Sequence, residues 1–320
     1  MRRIPVLIIA PEDDLHAHAV SAVLRRNHVD VQWIDLGLLN MDVRLTLLLD
    51  QSVSSSLLTD TSHSIMLSDV GTIWWRRPRF PEELADRDAV TSKFVHNEWE
   101  HFLDGIEPFT NVRWVNPPGA NHRVQRKAVQ LTAAHVEGLR VPHTVITNDP
   151  NAVRALAAKG IPLIYKRLGT VYQPTTVTRP LLPEDLKRLD ALPNCPAIFQ
   201  ERIEARLDVR VTIIGSELYA AEIDSQSGDA PLDWRLDYTV PFRPHTLDNE
   251  TVCRLHALMR KLNLIYGAVD LRLTPEGEYV FLEINPSGQY LFIELLTNIP
   301  LTERMAAFLA SSHEELSSSL

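Results

Sequence analysis

At 320 residues the chain exceeds one ordinary hydrophobic core and predicts two or three lobes. Its 45% hydrophobic and 23% charged residues suit a globular protein. A net charge of −9, with a pI near 5.7, argues against nucleic-acid binding as the main activity. No apolar run approaches the ~20 residues that span a bilayer. Met1-Arg2-Arg3 and the short apolar run Ile4 to Ala10 lead straight into Glu12-Asp13-Asp14 without a small-residue cleavage site. That start reads as a buried first strand rather than a signal peptide. Cys195 and Cys253 form no motif and the 12 histidines show no metal-ligand spacing, so zinc chemistry is not expected and a reducing cytoplasm is the default.

The first third alternates in the α/β manner: a strand over Val6 to Ala10, a helix over Asp14 to Arg26 and a strand over Val29 to Asp35. No G-x-G-x-x-G follows the first strand, so a dinucleotide fold is not indicated. The segment Val43 to Leu67 predicts hairpin strands, and Val70 to Trp75 another strand, closed by Arg76-Arg77-Pro78. Apolar residues at 90, 94, 95, 99, 102, 103 and 106 predict a helix over Asp88 to Ile106. A helix over 121–137 carries Arg123, Arg126 and Lys127. Strands follow at Val145-Ile146 and Leu163 to Lys166, with a helix from Asn151 to Lys159 between them. Beyond a Pro- and Thr-rich loop at 169–180 come a helix near 183–190 and a strand over Ala197 to Arg202. Strands at Val209 to Ile214, Glu217 to Asp224 and Tyr238 to Phe242 precede a helix from Asn249 to Lys261. A last helix spans Leu301 to Ala310, and the tail 313–320 is expected to fray.

The segment between those last two helices carries the chemistry. Leu264 to Glu294 contains two strands about a Thr274-Pro275-Glu276-Gly277 turn, which brings Asp270 close to opposite Glu283. Glu283 and Asn285 are two residues apart and share one face of their strand. Glu283 lies inside the apolar run Tyr279 to Ile284, where a buried carboxylate must be paired or metal-bound. Two carboxylates and an amide are hard oxygen donors suited to Mg²⁺ rather than zinc or iron.

Four motifs, in one order, resemble the ATP-grasp superfamily over residues 114 to 310. The first is Lys127 on a helix followed by Gly138-Leu139-Arg140-Val141-Pro142-His143-Thr144. The second is Ile164-Tyr165-Lys166, followed by a loop. The third is Phe199-Gln200-Glu201-Arg202-Ile203 with Asp208-Val209-Arg210-Val211, and the fourth is the hairpin ending Glu283-Ile284-Asn285-Pro286. Thr72-Ile73-Trp74-Trp75-Arg76-Arg77-Pro78 and Asp233-Trp234-Arg235 are similar to segments of the RimK-like branch, in particular the microviridin-type ligases that make graspetides. The loop after Lys166 departs from the pattern, having one glycine, Gly169, and Pro174, which lacks an N–H.

The resemblance implies an α/β (α+β) ATP-grasp fold. Residues 1–113 would form a pre-ATP-grasp α/β domain, 114–204 the central and lid part, and 205–312 the antiparallel C-terminal subdomain with the metal site. Lys127 and Lys166 would hold ATP phosphates, and Gln200, Glu201 and Ile203 the adenosine. Glu201 or Asp208 would accept from the ribose. Arg210 and Arg235 would act on the γ-phosphate and acyl phosphate, with Asp270, Glu283 and Asn285 on Mg²⁺, in two ions. The implied reaction activates Asp or Glu side chains of a leader-bearing precursor peptide as acyl phosphates and closes ester or amide crosslinks. A homodimer is also implied, with no nucleic-acid or membrane partner. Two other readings stay open: a RimK-like ligase joining a free amino acid to an amino acid or protein tail, and a nucleotide-binding scaffold without catalysis.

Overall fold

The computed structural model describes residues 4–38, 43–48, 54–59, 63–79, 88–107, 112–169 and 178–311. Most of the loop after Lys166, with Pro174, and the tail expected to fray lie outside these residues. Among the described residues, no helix is long and apolar enough to cross a membrane.

The chain opens with β1 (Ile4–Ile9), α1 (Leu15–Arg26) and β2 (Val31–Ile34). Asp14 caps α1 by accepting from the Ala17 N–H at 2.9 Å, satisfying one of the free donors of its first turn. The hairpin segment forms a small antiparallel sheet of β3 (Val43–Leu48), β4 (Ser54–Thr59) and β5 (His63–Met66). After β6 (Val70–Trp75) come the predicted helix α2 (Ala89–Asp104), capped by Asp88, and β7 (Arg113–Val115). Strands β1, β2, β6 and β7 pair in parallel in the order β2-β1-β6-β7. The order reverses between β1 and β6, so the ends of these two strands open a crevice that Arg76 and Asp14 occupy.

The helix expected over 121–137 is two helices, α3 (Pro118–Val124) and α4 (Lys127–Val136). Arg126 is extended at φ −81° and ψ 115°, and the Gln130 side chain donates to the Val124 carbonyl across the break. The break makes Lys127 the first residue of α4, so its side chain starts at the helix end rather than mid-face. A second antiparallel sheet follows, built from β8 (Thr144–Thr147), β9 (Leu163–Lys166), β10 (Arg179–Pro180) and β11 (Ala197–Glu201). Helix α5 (Pro150–Ala157) packs on it, and the helix expected near 183–190 is a 3₁₀ segment, Asp185–Asn194. Strand β11 is central, hydrogen-bonded to both β8 and β9.

The C-terminal sheet runs β14-β13-β12-β15-β16, all antiparallel, from β12 (Leu207–Ile214), β13 (Glu217–Ile223), β14 (Phe242–His245), β15 (Tyr266–Leu273) and β16 (Tyr279–Asn285). Helix α6 (Asn249–Leu262) covers one face; Asp248 caps its start and Asn263, left-handed at φ 56°, ends it. The strand expected over Tyr238 to Phe242 begins instead at Phe242, because Tyr238 stacks on Phe242 and joins Trp234 and Phe292 in an aromatic cluster. A short helix not expected from the sequence, α7 (Leu291–Thr297), precedes α8 (Leu301–Ala310).

Helix α8 returns to the first sheet. Its Met305, Ala306 and Leu309 join Val6, Ile8, Val20 and Leu24 in one core with Tyr266 and Tyr290 from the C-terminal sheet side. Buried Arg113 of β7 closes the helix end, donating to the carbonyls of Phe308, Leu309 and Ser311. The two ends of the chain therefore share a core, and the C-terminal sheet is tied to the parallel one.

His16 on α1 is buried, and its Nε2 accepts from the N–H groups of Tyr290 and Leu291 at 2.9 and 3.2 Å. Burial, then the Arg76 charge, lowers its pKa from 6.5 to about 3. Between those values the unfolded chain carries one more proton than the folded one, so this contribution to stability is lost as pH falls from 6.5 towards 3. His16→Gln should flatten the acid limb of the denaturation free energy over that window, by up to about 1.4 kcal/mol per pH unit. An unchanged slope would show that His16 does not titrate between the two states.

Candidate active site

The hairpin β15–β16 turns on Gly277, at φ +88°, whose N–H donates to the Thr274 carbonyl at 3.0 Å. Asp270 pairs directly with Glu283, and Ala268 with Asn285. A bulge between Asp270 and Leu271 makes this possible, because Leu271 pairs with Phe281 and leaves Leu282 as an extra residue. Phe281 and Ile284 both point into the core, whereas Leu282 and Glu283 both line the opposite cleft. Without the extra residue, strict alternation would give Glu283 the face of Phe281. The bulge turns one carboxylate out of the core.

The cleft lies between this hairpin and the sheet of β8 to β11. Lys166, Gln200, Glu201 and Ile203 line one wall; Asp270, Arg272, Leu282 and Glu283 line the other, with Asp233, Trp234 and Arg235 across the mouth. Lys127 reaches in from the start of α4 and forms an ion pair with Glu283 Oε2. Gln130, one turn on, accepts from the Ile284 N–H at 3.1 Å and fixes α4 to β16. Arg235 Nη1 donates to Glu283 Oε1 at 2.7 Å, and its other nitrogens fork onto Asp233 at 2.7 and 3.0 Å. Arg210 on β12, opposite Asp270 in the ladder, donates to Asp270 Oδ1 at 2.8 Å. Its guanidinium carbon lies 5.9 Å from the centre of the Trp234 ring.

These charges shift one another. Burial would raise the Glu283 carboxyl, but Lys127 and Arg235 outweigh it and hold Glu283 well below the ordinary carboxylate range. Burial raises Asp270 to about 6 against the opposing pull of Arg210. Burial also lowers Lys166 to about 8, partly restored by Glu283. Lys127, Lys166, Arg210 and Arg235 bring four positive charges to Asp270, Glu283 and Asp233, leaving an excess of one. A cluster of that sign in a cleft accepts a polyanion.

The site residues expected from the sequence fall into this arrangement unequally. Asp270, Glu283, Lys127, Lys166, Arg210 and Arg235 converge. Asn285 is exposed, its Oδ1 accepting from the Ser287 N–H at 2.9 Å, and stands two residues from Glu283 on the same edge strand. Gln200 is buried, and its side chain donates to Thr144 Oγ1 at 2.8 Å, so it fixes the strand from within. Asp208 has both oxygens on Arg272, at 2.9 and 3.1 Å, in a bidentate, buried pair. Glu201 lines the cleft and accepts from the His143 N–H at 3.1 Å. The sequence reading missed Asp233, which orients Arg235, and the Gln289 carbonyl, which accepts from Arg210 at 3.2 Å. The spacing Asp233-Trp234-Arg235 held the signal for the first, because an Asp two residues before an Arg can cap the turn that presents it.

Two carboxylate groups directly opposite in a ladder, with an amide beside them, fit a hard divalent cation such as Mg²⁺. Among the described residues, no group of three His, Cys, Asp or Glu side chains stands together as a metal site; Asp270, Glu283 and Asn285 offer three oxygen donors on neighbouring ladder positions. A cleft between two antiparallel sheets, with a lysine on each side and an acidic hairpin in one wall, is the arrangement that the ATP-grasp resemblance implies.

Comparison with known proteins agrees. No protein-family model and no curated protein matches the chain. Among solved structures, the macrocyclase MdnC from Microcystis aeruginosa MRC, bound with precursor peptide MdnA, superposes with a TM-score of 0.85 at 29% identity over 96% of this chain and 99% of that one. A Chryseobacterium gregarium RiPP-associated ATP-grasp ligase, in complex with ADP and a leader and core peptide, gives 0.83 at 25% identity over 98% and 97%. The ATP-grasp ligase PsnB, complexed with a phosphomimetic variant of its minimal precursor, Mg and ADP, shares the fold, at 0.76 and 21% identity over 95% and 97%. The chain has the ATP-grasp fold and resembles the RiPP-associated ligases along nearly its whole length.

Glu283→Gln keeps the size of the side chain but removes the charge between Lys127 and Arg235. It should lower Mg-dependent ATP turnover by at least about a hundredfold while leaving the far-ultraviolet circular dichroism unchanged. Retained turnover would mean that the metal ligands lie elsewhere.

Proposed function

We propose that this chain is an ADP-forming ligase that activates Asp or Glu side chains of a ribosomally made precursor peptide with ATP and closes ester or amide crosslinks. The observation that carries the reading is the match to MdnC over 96% of the chain, together with the charge cluster around Glu283. In the first step a substrate carboxylate oxygen attacks the γ-phosphorus, the bond to the bridging oxygen breaks, and acyl phosphate and ADP result. In the second, a hydroxyl or amine attacks the acyl carbon, phosphate leaves, and the nucleophile's proton is lost. Lys127 and Lys166 hold the phosphates as point charges from opposite walls, and Arg210 and Arg235 supply planar forks for the transferring phosphoryl oxygens. Mg²⁺, held by Asp270, Glu283 and Asn285, would supply neutralisation between phosphate oxygens when bound. Glu201 receives the ribose and Ile203 packs on the base.

The same reading includes a leader-binding surface, a second metal ion and a homodimer. Val90 and Phe94 on α2, 80% and 63% exposed, offer an apolar face for a second copy. A scaffold without catalysis would have no need of four cations and two metal-ligand carboxylates in one cleft.

The test uses the precursor peptide encoded beside this chain's gene. ATP hydrolysis should rise when the peptide is added, and mass spectrometry should show the loss of one water per link. Hydroxylamine should divert the activated side chains to hydroxamates. No mass change on such a peptide, with ADP released instead on adding small amines, would move the assignment to a ligase for free amino acids.

A further inference from the structure

We propose that Arg76 is a positioning residue: it clamps the turn at 286–291 and, through that turn, sets Arg210 against Asp270. Arg76 follows β6 in the Trp-Trp-Arg-Arg-Pro segment and is 1% exposed. Its N–H donates to the Ile9 carbonyl, which seats it at the crevice between β1 and β6. One guanidinium then serves three acceptors. Nη1 donates to the carbonyls of Ser287 and Gly288, at 2.8 and 3.0 Å, and Nε to Asp14 Oδ2 at 3.2 Å.

The turn that accepts these bonds leaves the metal-ligand strand directly. Its neighbouring carbonyls are also held, one from outside the hairpin and one from the start of β15. The Asn116 amide donates to the Pro286 carbonyl at 2.7 Å, and the Tyr266 hydroxyl to the Gly288 carbonyl at 2.7 Å. The next carbonyl, that of Gln289, accepts from Arg210 Nη2. Gly288 presses against the same guanidinium, since a Cβ there would lie 3.0 Å from Arg210 Nη2 and 2.3 Å from Ala268 Cβ. Arg210 is therefore fixed on one side by Asp270 and on the other by a turn whose place depends on Arg76. A lysine could not replace it, because a single ammonium on a flexible stem cannot hold two adjacent carbonyls and a carboxylate in fixed directions.

The hydrogen bonds and ion pairs of the Arg76 side chain go to Asp14, Ser287 and Gly288, not to Asp270, Glu283 or the lysines. Its effect on the chemistry must pass through Arg210, and this gives a signature that a purely structural residue lacks. The inference rests on the nucleotide site proposed above. Its test therefore combines a readout that needs no nucleotide with one that does.

In the full chain, amide hydrogen exchange is followed for wild type, Arg76→Lys and Tyr266→Phe, and Mg-AMPPNP affinity is measured by calorimetry with and without Arg210→Lys. Arg76→Lys should speed exchange of the 287–291 amides about tenfold while protection in α6 stays unchanged. It should weaken Mg-AMPPNP about tenfold in the wild-type background, but less than about twofold once Arg210→Lys is present. Tyr266→Phe, which removes one hydroxyl from the same carbonyl, should show the same pattern at smaller size and carries the test if Arg76→Lys fails to fold. Unchanged exchange in the turn, or equal losses of affinity in both backgrounds, would overturn the inference. If wild type binds no Mg-AMPPNP, the nucleotide reading falls and the exchange comparison still decides the clamp.

Discussion

Two acidic side chains face each other across a strand pair in this molecule, and three basic ones pair with them. Glu283 takes Lys127 and Arg235, and Asp270 takes Arg210. Burying such groups in the cleft is costly unless each is paired, so every element that supplies a charge is constrained to one position. The break between α3 and α4 places Lys127, and the Asp233 cap places Arg235. The bulge in β16 delivers Glu283 to the cleft rather than the core. The fold is the means by which residues more than 150 positions apart meet.

The same pairs explain how the site can work. On the proposed reading, a divalent cation at the oxygens of Asp270 and Glu283 would compete with Lys127, Arg235 and Arg210 for them, and those basic groups would then be free to face phosphate oxygens in the same cleft. Metal and nucleotide are thus expected to bind cooperatively. Burial raises Asp270 to about 6 against the pull of Arg210, so on the proposed reading a cation there would compete with a proton at mildly acidic pH.

Much of this was legible in the residues themselves. The Thr274 to Gly277 turn, with strong alternation on either side, set the hairpin closely enough to place Asp270 opposite Glu283. Leu163–Lys166 and Leu301–Ala310 were found with their bounds, because each is short, apolar and flanked by clear breaks. The split of the 121–137 helix was not visible, since it depends on the Gln130 side chain bonding to a carbonyl of the previous helix. Nor was the fate of Tyr238, whose β-propensity is overridden by the aromatic cluster around Trp234. The pairing of Asp208 with Arg272 joins residues 64 apart, and local pattern carries no trace of it. Arg76 was visible as part of a motif, but its two carbonyl partners belong to a turn more than 200 residues away.

On the proposed reading, lysines from two elements and the acidic hairpin close on one magnesium-bound triphosphate. A crystal structure of the chain with Mg²⁺ and AMPPNP addresses it most directly. The account predicts the β- and γ-phosphates between the ammonium groups of Lys127 and Lys166, with Mg²⁺ bridging them to Asp270 and Glu283. A nucleotide seated in another cleft, with Glu283 still paired to Lys127 and Arg235, would contradict it.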